Sequence, residues 1–129
     1  MSGRYLLDTA ILVAILGDEP NIREKLQQAS DIFVPPMALG ELYFATFGTD
    51  DVRKTQDDLA DFVSHCVIPQ CDADTAREYG TLKESVWSRG LSMSENDLWI
   101  AALARQHNLV LVTRDKPFKR LSGVKTVEW

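Results

Sequence analysis

Apolar residues in this chain come in short blocks set apart by capping and turn signals. Residues 4–7 are mostly apolar and end at Asp8, which predicts a short buried strand. Residues 10–16 continue as an apolar helix. Gly17-Asp18-Glu19-Pro20 makes a turn, and Pro20 is placed to open a helix over 21–29. Ile32-Phe33-Val34 predicts a second strand. Pro35-Pro36 stops it and starts a helix from Met37 to about Phe47. Gly48-Thr49-Asp50 closes that helix and caps the next, from Asp51 to about His65. Val67-Ile68 predicts a weak third strand. Asp72 or Asp74 caps a helix running to about Ser88, which Arg89-Gly90 ends. Ser94 caps a helix over 95–106, with Asn108 as its left-handed stop. Residues 109–113 are continuously apolar up to Thr113, the mark of a parallel strand covered on both faces. Val124 to Val127 predicts an edge strand.

Strands alternating with helices predict an α/β fold with a mostly parallel, five-stranded sheet and helices on both faces. The 129 residues suit one domain spanning the whole chain, and 45% apolar residues are enough for a real core. No apolar run approaches the roughly 20 residues of a membrane-spanning helix. The N-terminus lacks a signal-peptide layout because Asp8 interrupts the apolar stretch, so a cytoplasmic location is expected. Cys66 and Cys71, with His65 beside them and His107 distant, fall short of the four ligands of a structural zinc site. They read as reduced, buried thiols near a short strand. Trp87, Trp99 and Trp129 read as core or interface residues.

Charge changes the picture more. A net charge of −5 argues against broad, non-specific binding of nucleic acid. It is unevenly spread, because Arg114, Lys116, Lys119, Arg120 and Lys125 are set against Asp115 alone. Within the acidic remainder, three acids sit among apolar neighbours with no cation at hand. Asp8 ends the first strand, with no Lys or Arg from Tyr5 through Ile22. Glu41 shares a helical stripe with Met37, Phe44 and Ala45, and no Lys or Arg lies between Lys25 and Arg53. Asp97 shares a face with Ile100, Ala101 and Ala104. An acid on an apolar face is costly unless paired or bound to a metal. Asp8 and Asp97 each also suit a helix N-terminus. Asp115 follows the strongest strand, and ligands of parallel sheets bind at the carboxyl ends of strands. Four carboxylates on one rim repel one another, and a divalent cation relieves that repulsion. Thr9 and Thr113 stand beside Asp8 and Asp115, and Asn96 beside Asp97, where they are placed to orient carboxylates or hold water. The chain carries no G-x-S-x-G, G-x-x-x-x-G-K-[ST] or G-x-G-x-x-G motif.

Four pieces of the chain together resemble the PIN-domain family, in particular the VapC-type toxin ribonucleases of type II toxin–antitoxin pairs. They are Leu6-Leu7-Asp8-Thr9, Gly40-Glu41-Leu42, the run from Glu95 to Ala102, and Leu111-Val112-Thr113-Arg114-Asp115. The resemblance implies a PIN-like three-layer sandwich with strand order 3-2-1-4-5. It implies that Asp8, Glu41, Asp97 and Asp115 bind Mg²⁺ or Mn²⁺ and activate water for cleavage of RNA phosphodiester bonds, the fourth position being the variable one. It also implies a homodimer and inhibition by an antitoxin protein. The basic Lys116-Pro117-Phe118-Lys119 departs from the family pattern, and Lys116, Lys119 and Arg120 are expected to contact RNA.

Two other readings fit parts of the sequence. One is a non-catalytic PIN-like binding module. The other is a phosphoacceptor receiver domain, which shares the length, the parallel sheet and a late Lys-Pro-Phe, but needs a mid-chain aspartate ending a central strand and an acidic pair on strand one.

Overall fold

A computed structural model describes residues 3–129. Strand β1 (Arg4–Leu7) leads directly into helix α1 (Thr9–Leu16). Helix α2 (Pro20–Gln28) and strand β2 (Asp31–Phe33) follow, then α3 (Pro36–Thr46), α4 (Val52–Val63), α5 (Ala73–Ser88) and α6 (Glu95–Gln106). Strand β3 (Val110–Val112), a 3-10 turn over Lys116–Arg120 and strand β4 (Thr126–Val127) complete the chain.

The sheet is parallel throughout and has four strands in the order β2-β1-β3-β4. The fifth strand expected at Val67-Ile68 is reduced to one parallel bridge between Val67 and Phe33. Pro69, which carries no N–H, follows two residues later, and the segment never extends into a ladder. That bridge puts residue 67 on the side of β2 away from β1, while the sheet itself has only the four strands.

The capping signals locate the helices within a residue or two. Asp72 caps α5 through a capping box with Thr75, and Ser94 caps α6 by accepting from the Asp97 N–H. Asp51, rather than Asp50, caps α4. Gly90 and Asn108 adopt the left-handed conformation that ends α5 and α6. Tyr5, Leu6 and Leu7 are buried in succession, so both faces of β1 are covered. Leu111, Ile100 and Leu103 lie in the same fully buried core, where truncating one leucine to alanine costs about 2–5 kcal/mol.

The cysteine expectation holds for one of the two. Cys66 is half-buried, its Sγ donates to the Phe62 carbonyl, and burial pushes its thiol up to about 11. Cys71 is exposed, because it lies in the loop just ahead of the α5 cap. Trp99 and Trp129 are partly buried; Trp87 is 79% exposed, which places it outside the core.

Candidate active site

Asp8 sits where β1 becomes α1. Its backbone N–H still belongs to the sheet, donating to the Val112 carbonyl at 3.0 Å, while its own carbonyl already accepts from Ile11 and Leu12. Its side chain is 4% exposed. Oδ1 accepts from the Thr9 N–H at 2.8 Å, capping α1, and Oδ2 accepts from the Thr113 hydroxyl at 2.9 Å. The capping role and the site role foreseen for Asp8 therefore coexist. Thr113 is fully buried and accepts in turn from the Asp115 N–H at 3.0 Å. One hydroxyl thus ties the acid after β1 to the loop after β3.

Asp97 lies in the first turn of α6, half-buried, with its N–H on the Ser94 hydroxyl at 3.2 Å. Asn96, beside it, turns to α3 and donates from Nδ2 to the Glu41 carboxylate. The burial argument made for Glu41 fails: Glu41, Phe44 and Ala45 all face outward, and Phe44 is 80% exposed. The apolar stripe that suggested a buried acid is surface, and Asn96 is what holds Glu41 toward the rim. Thr9 also departs from its expected part. Its backbone N–H, not its hydroxyl, bonds Asp8, and its Oγ1 is buried with no partner among the described residues.

The four acids act on one another electrically. Burial pushes the Asp8 carboxyl above the ordinary carboxylate range; the Thr113 and Thr9 hydrogen bonds pull it back, and the charges of Asp115 and Glu41 push it up again. Burial also raises Asp97, followed by the charge of Asp8, with Ser94 opposing and Asp115 and Glu41 adding to the rise. Among the described residues, no cation figures in these influences. Among the described residues, no three His, Cys, Asp or Glu side chains close tightly enough around one point to hold a metal ion by themselves. An all-oxygen set of this kind suits a hard cation such as Mg²⁺, which keeps several of its waters and takes only one or two carboxylates directly.

Lys116, Lys119 and Arg120 are exposed on the 3-10 turn that begins immediately after Asp115. The solvated loop expected there is anchored by Phe118, which is fully buried. Lys119 lies 4.0 Å from Glu128. Two features of this region were not foreseen. Arg114 makes a two-pronged ion pair with Glu19. A cluster of Tyr79, Lys83 and Glu95 pins the start of α6 to α5, with Tyr79 stacked on Trp99 at 4.1 Å between ring centroids. Both join residues far apart in sequence, so no local spacing signals them.

The chain is similar to known proteins along nearly its whole length. Residues 5–124 match the PIN domain family. Ribonuclease VapC2 of Rickettsia felis is 31% identical, over 97% of each chain. Ribonuclease VapC2 of Haemophilus influenzae is 28% identical, over 98% of each. Among solved structures, the crystal structure of VapBC2 from Rickettsia felis bound to a DNA fragment from its promoter matches with a TM-score of 0.90 at 28% identity, covering 100% of this chain and 99% of that one.

Proposed function

The chain belongs to the PIN-domain family and is of the VapC type, and from that premise we propose that it is a metal-dependent endoribonuclease, the toxin of a toxin–antitoxin pair. The observation that carries this reading is the acid cluster. Asp8 and Asp97 are kept at raised pKa by burial and by neighbouring acids, with no cation among the described residues to offset them. Ordinary folding has no use for such a group of charges. Asp8, Glu41, Asp97 and Asp115 together would hold Mg²⁺ or Mn²⁺, one or two of them directly and the ion's retained waters making up the rest. The bound ion would supply Lewis-acid activation of water and neutralise charge at the phosphate.

The rest belongs to the chain's own residues. Thr113 fixes the Asp8 carboxylate and the Asp115 backbone together. Asn96 brings Glu41 across to α6. Thr9 supports the site through its backbone N–H. The exposed Lys116, Lys119 and Arg120, starting one residue past Asp115, would receive the RNA backbone and lead it to the acids.

A protein partner is supported by the surface. An apolar groove of about 200 Å³ lies between α1, α3 and α4, lined by Val13, Leu16, Leu42, Ala45 and Leu59 among others. Phe44, Phe47 and Trp87 stand exposed elsewhere. Surfaces of this kind mark sites of protein association, and the relatives' structures are toxin–antitoxin complexes. An antitoxin and a second copy of the chain are the partners proposed. Among the described residues, no helix is long and apolar enough to cross a membrane.

Incubation of the purified protein with total RNA tests the function. Cleavage is expected with Mg²⁺ or Mn²⁺ and is expected to stop in excess EDTA. Undiminished cutting in EDTA would remove the metal from the mechanism, and no cutting with either ion would remove the nuclease.

A further inference from the structure

Arg114 stands between Thr113 and Asp115, two residues of the proposed site, yet its charge does not reach the acids. Thr113 donates to Asp8, while Arg114, at the bend that follows β3, is exposed and reaches Glu19 and Trp129 instead. There its Nη2 donates to Glu19 Oε1 at 2.6 Å, its Nη1 to Glu19 Oε2 at 3.3 Å, and its Nε to the Trp129 carbonyl at 3.3 Å. The contact is a two-pronged guanidinium–carboxylate fork, with 39% of each side chain left exposed to solvent. Glu19 comes from the turn between α1 and α2, far from Arg114 in sequence. Glu128 is the other acid whose charge Arg114 feels.

A long, permanently charged side chain one residue from a carboxylate cluster has an evident alternative partner. Released, the guanidinium would meet Asp115 or Asp8 and neutralise the charge on which cation binding depends. We propose that Glu19 is a positioning residue that holds Arg114 away from the acid cluster and so keeps the cluster free for a divalent cation. This inference rests on the metal-dependent reading above.

The test is a double-mutant cycle of Glu19→Gln, Arg114→Gln and both together. The midpoint of thermal stabilisation is read against Mg²⁺ concentration, beside the Mg²⁺ dependence of RNA cleavage. An opposite charge within about 4–6 Å moves a carboxylate by roughly 1–3 pKa units, so competition of that size should raise the Mg²⁺ midpoint of Glu19→Gln about tenfold or more. Arg114→Gln should bind Mg²⁺ at least as well as wild type, and the double variant should return to that level. Equal losses in both single variants would show that the pair merely braces the loop, and would overturn the proposal. So would an unchanged midpoint in Glu19→Gln. A crystal structure of Glu19→Gln grown in chelator provides a metal-free measure. Arg114 on a carboxylate of the cluster is expected; Arg114 still on the Trp129 carbonyl, or moved to Glu128, would overturn it. If wild type shows no response to Mg²⁺, the metal reading fails, and that crystal structure still decides whether Glu19 restrains Arg114.

Discussion

Asp8 and Asp97 differ from Glu41 and Asp115 in how the fold treats them. The first two are taken partly or wholly out of water at the starts of α1 and α6, and both carboxyls are raised by that burial. The other two are exposed, Glu41 on the outer face of α3 and Asp115 on the loop after β3. Each of these is placed by one polar neighbour, Asn96 for the Glu41 side chain and Thr113 for the Asp115 backbone. The inner pair carries a burial cost that the outer pair does not. Under the proposed function, the two exposed carboxylates would meet a cation and a phosphate from solvent without rebuilding the core.

The strongest way to break this contrast is Asp97→Asn. Asn keeps the shape and removes one of the mutually repelling charges. RNA cleavage is expected to fall roughly 10²-fold or more, beyond the 10–100-fold typical of losing an outer partner of a metal site. Melting in chelator is expected to match or exceed that of wild type. Mg²⁺ should stabilise wild type by RT ln(1 + [Mg²⁺]/Kd) and the variant less. A variant that melts well below wild type in chelator would make Asp97 a structural residue; full cleavage would remove it from the site.

Thr113→Val attacks the link between the inner and outer pairs. It leaves Asp8 Oδ2 and the Asp115 N–H without their shared partner, which should cost about 1–3 kcal/mol of stability. The measurement is denaturant unfolding. A variant as stable as wild type would mean the bridge is dispensable.

Replacing Lys116, Lys119 and Arg120 together by Ala should weaken RNA binding while leaving the melting temperature unchanged, because all three are exposed. The slope of log binding constant against log salt should shrink by about 0.7–1 unit for each lost phosphate contact. An unchanged slope would show that the RNA takes another path.

The smallest effect is in the pH dependence. The folded protein holds protons on Asp8 and Asp97 more tightly than the unfolded chain does, whose carboxyls titrate near 3.8. The stability from this proton binding is full below that value and is lost as pH rises through the raised folded values, leaving the whole cost at neutral pH. Asp97→Asn removes one of the two sources. Its melting temperature relative to wild type should therefore climb between about pH 4 and pH 7 and fall back on acidification. A difference that stays constant with pH would show that burial does not perturb Asp97.

Local chemistry by itself determined most of the elements. Ser94, Asp72, Asn108 and Gly90 act on backbone groups a few residues away, so their effect is legible in a short window of sequence. The same holds for Asp8 ending β1 and for the apolar run Leu109–Val112, of which only Val110 is partly exposed. Asp8, Glu41 and Asp97 could be chosen because each lacks a cation nearby in sequence, and Asp115, flanked by Arg114 and Lys116, because it follows the strongest strand. Tertiary structure alone decided which side of a helix is outside. The stripe through Met37, Glu41, Phe44 and Ala45 has the spacing of a buried face, yet only Met37 packs on the core and the other three are surface, because Ala38, Leu42 and Thr46 take the core position instead. It also decided that residues 67–68 make one bridge and no strand, that Asn96 serves Glu41 and not its neighbour Asp97, and that Arg114 faces Glu19. Each of these joins groups distant along the chain, and hydrogen bonds, ion pairs and packing depend on distance in space, which spacing in sequence does not encode.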